Sequence, residues 1–273
     1  MLNLIQALLL GGLQGITELF PISSLGHSVV LPKLLGWNIN QNDPYFLSFL
    51  VATHTATCLV LFLFFWQDWK KIISGFFRSL TRREIRDDDK DAKMAWLLIV
   101  ATVPAGILGV LFQDTLKSLF AAPNIVAFVL IMNGIMLAGG DYLQRKVREI
   151  PAKLTWGKGI FVGLMQCLAL IPGFSRTGST MVGGLLTGLT HEEAARFSFL
   201  LATPIIAGAT LVKLPDILNG GNLSISLIGG LSSGIFAYLS VKFLTKYFET
   251  KKLWPFALYC IAFGTILSII FLR

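Results

Sequence analysis

Long apolar blocks constrain this chain more than any other feature. Ala95 to Phe112, Ile125 to Ala138, Phe197 to Val212 and Pro255 to Leu272 each run close to the ~20 residues that cross a bilayer as a helix. Charged residues make up 14% of the chain, against roughly 25% in a soluble domain. Mean hydropathy is +0.71. These features predict an all-α polytopic membrane protein with a single integral-membrane domain over 1–273. The apolar start, Met1 to Leu10, has neither a basic leader nor a small-residue cleavage site, so it reads as retained and not as a signal peptide. Cys58, Cys167 and Cys260 stand singly in apolar stretches and read as buried free thiols.

Basic residues gather between the blocks. Lys70, Lys71, Arg78, Arg82, Arg83, Arg86, Lys90 and Lys93 fall in one segment. Arg145, Lys146, Arg148, Lys153 and Lys158 fall in a second, and Lys242, Lys246, Lys251 and Lys252 in a third. The positive-inside rule assigns all three to the cytoplasmic side. The net charge of +8 is then a matter of topology. With no aromatic-basic groove or reader motif, nucleic acid is not an expected partner. Thr190-His-Glu-Glu193 reads as a capping box opening a helix, which leaves His191 without a catalytic role.

Two apolar stretches are broken by polar, Gly/Pro-rich segments, Glu18-Leu-Phe-Pro-Ile-Ser-Ser-Leu-Gly-His27 and Ile171-Pro-Gly-Phe-Ser-Arg-Thr-Gly-Ser-Thr180. Half-length apolar arms around such a break predict re-entrant hairpins, tolerated only where protein or a polar cavity covers the backbone. The breaks also read as copies. Gln14, Pro21 and Ser24 find counterparts in Gln166, Pro172 and Ser175, about 151 residues on, and Ser48 to Thr53 matches Ser198 to Thr203 at about the same offset. Loop charge makes the copies run in opposite directions, giving inverted repeats over 1–142 and 143–273. The first hairpin then enters from the outer face and the second from the inner, with their tips meeting near mid-membrane.

Ionisable groups at membrane depth are costly, so Glu18, His27 and Arg176 are candidate site residues. Arg176 carries a planar fork suited to phosphate. Ser23, Ser24, Ser175, Thr177, Ser179 and Thr180 add hydroxyls, and Gly26, Gly173 and Gly178 let backbone N–H groups approach an anion. Helices restarting after each break aim two positive dipole ends at one place. Such a site suits a polyanion. Glu18 beside phosphate calls for a divalent cation with oxygen ligands, or else acts as acid or base. Ser24, His27 and water all remain open as the nucleophile. Gln14, one turn before Glu18, fits a second ligand or a hydrogen-bonded buffer. The competing reading of Glu18 and Arg176 is a plain interhelical ion pair. His54 is expected to be structural.

Gln14-Gly-Ile-Thr-Glu18 with Pro21-Ile-Ser-Ser-Leu-Gly-His27, and Pro172-Gly-Phe-Ser-Arg-Thr-Gly-Ser-Thr180, resemble the two signatures of the BacA-type undecaprenyl-diphosphate phosphatase family. The resemblance spans the chain and extends to Phe65-Trp66 and to the run Asp114 to Phe120. It departs at Gln14, often Glu in that family, at Leu25 for a usual Thr, at Thr177 for Ser, and at Leu50 where an acidic residue is frequent. It implies dephosphorylation of undecaprenyl diphosphate at the outer face of the plasma membrane, recycling the carrier for cell-wall synthesis, with a Mg or Ca requirement and protection against bacitracin. The positions it carries over are Glu18, Ser24, His27, Ser175, Arg176 and Thr180. It also admits a homodimer. The alternative from a different class is a polyprenyl-phosphate transporter, since inverted repeats with midplane breaks serve many transporters.

Overall fold

The computed structural model describes residues 2–40, 43–112, 115, 119, 122–147, 154–219 and 223–271, and these contain helices and no strand. Of the Asp114 to Phe120 run, only Thr115 and Leu119 are described. Arg148 and Lys153 of the second basic segment also lie outside the described residues. In chain order the helices are α1 (Leu4–Thr17), α2 (Ser24–Leu34), α3 (Pro44–Phe64), α4 (Trp66–Arg82), α5 (Lys90–Leu111) and α6 (Pro123–Val147). They continue with α7 (Trp156–Gln166), α8 (Arg176–Leu186), α9 (His191–Asn219), α10 (Leu223–Phe248) and α11 (Trp254–Phe271). Six of them, α3, α5, α6, α9, α10 and α11, are long and apolar enough to cross a membrane. The chain is a multi-pass membrane protein.

Helix starts follow their capping residues. Asn3 and Gln6 form a reciprocal capping box at α1. Thr190 and Glu193 do the same at α9, as their spacing predicts. Ser23 accepts from Gly26 N at 3.2 Å to open α2, and Ser175 accepts from Gly178 N at 3.1 Å to open α8. The caps therefore match Ser23 with Ser175, so Ser24 corresponds to Arg176 and not to Ser175 as the sequence comparison has it. The one-residue difference arises because Pro21 and Pro172 sit at different points of the two turns. The first turn places Ser23 itself at φ 70°, whereas the second gives the positive φ, 110°, to Gly173.

Each hairpin packs along a long helix from the other half of the chain. Gly11 and Gly15 of α1 face Gly229 and Ser233 of α10, with the two helices running in the same direction. Gly159 and Gly163 of α7 face Leu97 and Ala101 of α5 in the same way. A Cβ on Gly11 would lie 2.2 Å from Gly229 O, and one on Gly163 2.6 Å from Ala101 O, so only glycine permits these approaches. Helices α3 and α9, which carry the repeated Ser-Phe-Leu motif, run antiparallel: Thr55 bonds Thr210 at 2.9 Å, Phe65 stacks on Phe199, and Asp68 pairs with Arg196.

At the end where α9 begins, Asp141 of α6 accepts from the Trp254 backbone N at 2.8 Å and lies 2.6 Å from His191 Nε2. Together with the Asp68–Arg196 pair, this gathers the helix ends that flank the basic segments at one end of the bundle. Measured from that end, α7 enters alongside α5, while α1 enters from the opposite end alongside α10. The tips of the two hairpins therefore meet inside the bundle.

Candidate active site

The tips are fastened to each other before any chemistry is considered. Thr177 Oγ donates to Glu18 O at 3.0 Å, and Ser175 Oγ reaches Phe20 O at 3.4 Å. Asn133, in the middle of α6 and fully buried, spans both turns: its Nδ2 donates to Pro21 O at 3.1 Å and its Oδ1 accepts from Ser175 N at 3.0 Å. These bonds pair backbone groups exposed by the helix breaks, which buried chain requires.

Glu18, at the C-cap of α1, is the hub. Its Oε1 accepts from Arg176 Nη2 at 2.7 Å. Its Oε2 accepts from Ser24 Oγ at 2.5 Å and Gln14 Nε2 at 3.1 Å, and lies 3.2 Å from His54 Nδ1. Gln14 Nε2 also contacts His54 Nδ1 at 2.8 Å. Arg176, the first residue of α8, gives Nη1 to Ser198 O at 3.3 Å. A cavity of about 200 Å³ opens onto this cluster. Glu18, Ser23, Ser24, His54, Gln166, Ser175 and Arg176 form its polar wall, and Val51, Leu170, Phe174, Ile205 and Ile206 are among its apolar residues. The starts of α2 and α8 both border it, so two positive helix ends and a guanidinium face a closely placed carboxylate and hydroxyl.

Not every predicted residue joins this cluster. His27 is turned away: its Nδ1 lies 2.6 Å from Ser23 O, its Nε2 lies 2.8 Å from Tyr259 Oη, and its ring stacks on Tyr259 and Phe263 of α11. Both ring nitrogens are occupied outside the cavity, so it does not reach Ser24. The N–H groups of Gly26 and Gly178 are taken by the Ser caps and do not point at a ligand. Thr177 holds the tip. Thr180 bonds Ser198 Oγ at 2.6 Å and ties α8 to α9, and Ser179 is buried against Met136. These residues shape the site from behind.

His54 takes the place expected for His27. It comes from α3, the helix that carries the repeated Ser-Phe-Leu motif, and it is an ionisable group at membrane depth; those were the signals available for it. Asn133 carried the same kind of signal as a polar residue inside an apolar block, and Ser198 lay within the repeated motif. Which face of its helix each presented emerges only from packing.

A family model described as "Bacitracin resistance protein BacA" matches residues 7–266. The chain belongs to the BacA family. A protein named undecaprenyl-diphosphatase from Mycolicibacterium paratuberculosis is 40% identical over 293 aligned residues, spanning 96% of this chain and 95% of the relative. Undecaprenyl-diphosphatase 2 of Burkholderia thailandensis is 47% identical over 255 residues, with 92% and 91% covered. Undecaprenyl-diphosphatase 1 of Burkholderia pseudomallei strain K96243 is 46% identical over the same length. In this BacA-family chain both resembling signatures lie at the two tips that build the cavity.

Proposed function

We propose that this chain hydrolyses undecaprenyl diphosphate to the monophosphate, as the names of its relatives say of them. The observation that carries the reading is the 2.5 Å bond from Ser24 Oγ to Glu18 Oε2, with Arg176 2.7 Å from the other carboxylate oxygen. A nucleophile, its base and a phosphate-binding cation thus share one buried cavity, which a mere ion pair between helices does not need.

In this mechanism the diphosphate enters the cavity and draws the Arg176 fork from Glu18 onto its oxygens. Glu18, released from its cation, takes the proton of Ser24. Ser24 Oγ bonds to the terminal phosphorus as the bridging P–O bond breaks, and the lipid monophosphate leaves with the bridging oxygen. Water then attacks the phosphoserine, and as the P–Oγ bond breaks Glu18 returns its proton to Ser24 Oγ, giving inorganic phosphate and restoring both hydroxyl and carboxylate. His54, beside Glu18 and Gln14, orients the carboxylate.

Gln14 Oε1 is buried without a partner next to Glu18. Among the described residues no three His, Cys, Asp or Glu side chains cluster. One carboxylate, one amide oxygen and a polyanionic substrate fit a hard divalent cation, Mg or Ca, held by Glu18 and Gln14 jointly with the diphosphate. When bound it would neutralise phosphate charge. Glu in place of Gln14 would raise its affinity.

An apolar groove of about 770 Å³ runs along α3 and α10 and shares Thr210 with the polar cavity. Thr210, bonded to Thr55 of the groove, lines both, so the first isoprenoid units would have an apolar course outward from the headgroup. The cavity residues Val51, Ala105 and Ala209 lie in the halves of their helices away from the basic segments. Under the positive-inside rule this reading has a plasma-membrane protein whose site opens on the outer side, built from inverted repeats 1–142 and 143–273 with re-entrant hairpins. Entry of the hairpins from opposite ends also favours the second reading, a polyprenyl-phosphate transporter.

The deciding assay is phosphate release from a C55 or C15 polyprenyl diphosphate by purified protein, with and without EDTA, beside Arg176→Ala and Glu18→Gln. Metal-dependent release lost in both variants is the expected result. Binding without release would move the assignment to the transporter. Release surviving in Arg176→Ala would return the Glu18–Arg176 pair to a packing role.

A further inference from the structure

Helix α4 (Trp66–Arg82) belongs to neither hairpin and has no counterpart in the second half, where α9 leads almost directly into α10. At 3.6 residues per turn its seventeen residues sort into three arcs. One arc packs on the protein: Gly75 meets Asp91 and Ala92, Phe76 lies 5.3 Å from Trp96 between ring centres, and Ser79 Oγ accepts from Trp96 Nε1 at 2.9 Å. The second arc is a stripe of Trp66, Ile73, Phe77 and Leu80, exposed by 42, 38, 61 and 47%. The third carries Lys70, Lys71 and Arg82, all exposed, between the stripe and the packed arc. Asp68, the helix's sole acid, turns inward to Arg196, and Arg78 is engaged by Asp89 at 2.6 Å. The open surface of α4 therefore presents apolar groups and the exposed cations Lys70, Lys71 and Arg82, of which Arg82 also feels Asp89, with no acidic side chain of its own.

We propose that α4 lies in the headgroup layer and binds anionic phospholipid on the side of the bilayer that holds the basic segments. Its Trp-Ile-Phe-Leu stripe would sit in the acyl boundary, with Lys70, Lys71 and Arg82 against phosphates. Its position selects this occupant over a soluble partner. Only Phe65 separates α4 from the membrane span α3, and Trp66 and Trp69 both pack on Phe62 in the last turn of that span, at the depth where indoles settle among headgroups. A helix anchored there by α5 meets lipid before it meets anything else, and the sign of its charge selects anionic lipid from zwitterionic.

The test uses the full-length protein in nanodiscs of phosphatidylcholine alone or with about one third phosphatidylglycerol, read by amide hydrogen exchange. Exchange across 66–82 is expected to slow roughly tenfold with phosphatidylglycerol and to recover at about 0.5 M salt, where charges are screened within a few Å. The triple variant Lys70→Gln, Lys71→Gln, Arg82→Gln should lose the response, with α5 and α10 exchanging as in the wild type. That last readout shows the variant is folded. Equal exchange of α4 in both lipids overturns the proposal, as does a phosphatidylglycerol response retained by the triple variant. Protection that tracks the number of protein copies per disc instead of lipid charge would make the stripe a protein contact and also overturn it.

Discussion

The two hairpins restart their helices on the same kind of cap and place different side chains behind it. Ser23 and Ser175 cap α2 and α8 in the same way, and the residue that follows is a hydroxyl, Ser24, in one and a guanidinium, Arg176, in the other. One turn before each break stands a glutamine, Gln14 or Gln166, and each leaves a buried Oε1 without a partner. Four residues further on, the first hairpin has Glu18 and the second Leu170. The first tip also carries the strained backbone, Ser23 at φ 70°, where the second uses glycine. Two helix starts border one cavity, and the site is asymmetric because one tip brings a carboxylate and a hydroxyl and the other a guanidinium.

That division is broken most directly at the matched pair. Ser24→Ala and Arg176→Ala are each expected to lower kcat/KM for a polyprenyl diphosphate by about 10³-fold, since one removes the attacking oxygen and the other a buried phosphate donor. Arg176→Lys keeps the charge without the fork and should lose about 10²-fold. Residual activity in Ser24→Ala near the wild-type level would pass the attack to water and leave Ser24 as a positioning hydroxyl.

Next in size is the exchange of histidines. His54→Ala is expected to lose about 10²-fold in kcat through the orientation of Glu18. His27→Phe keeps the stacking on Tyr259 and Phe263 and should change kcat by a few-fold only, while lowering thermal stability. The reverse order would mean that His27 swings into the cavity when substrate binds.

The sequence made these breaks legible because polar, Gly/Pro-rich segments cannot continue a lipid-facing helix, and the helices do stop and restart there. Glu18, Ser24 and Arg176 were legible for the same reason: they are costly groups beside a break. His54 and Asn133 were not placed, because a polar residue inside a long apolar helix faces either a neighbour or a cavity according to rotations that only packing sets. The prolines pair Ser24 with Ser175 whereas the caps pair it with Arg176, and caps are what fix a helix start. His27 looked catalytic by its spacing from Glu18, but its own turn of α2 points it at α11.

Asn133 binds the two tips into one unit, so it tests whether the hairpins act jointly. Asn133→Ala leaves Ser175 N without its partner and Pro21 O with the weak Cys260 thiol alone, and should cost about 2–3 kcal/mol of stability. It should also reduce kcat about tenfold by loosening Ser24 against Arg176 while changing KM little. Asn133→Asp can still accept from Ser175 N and is expected to recover part of kcat. Loss of stability with kcat unchanged would mean that each hairpin holds its own geometry.

The smallest effect concerns the element that only the first half possesses. Arg78 donates two hydrogen bonds to Asp89, and these, with the Ala92 N–H, lower the Asp89 carboxyl from its ordinary 3.8 to about 2. A carboxyl depressed in the folded state adds stability that is complete above its unfolded pKa and fades as pH falls through the folded one. The clamp between α4 and α5 should therefore hold from neutral pH down to about 4 and release toward pH 2. Trp96, which donates to Ser79 beside this clamp, reports the change through its fluorescence. The acid transition should be present in wild-type protein and absent in Asp89→Asn, where no carboxyl titrates. A transition of equal size in Asp89→Asn would locate the acid sensitivity elsewhere in the bundle, and the added helix would then be held by its apolar packing on α5 alone.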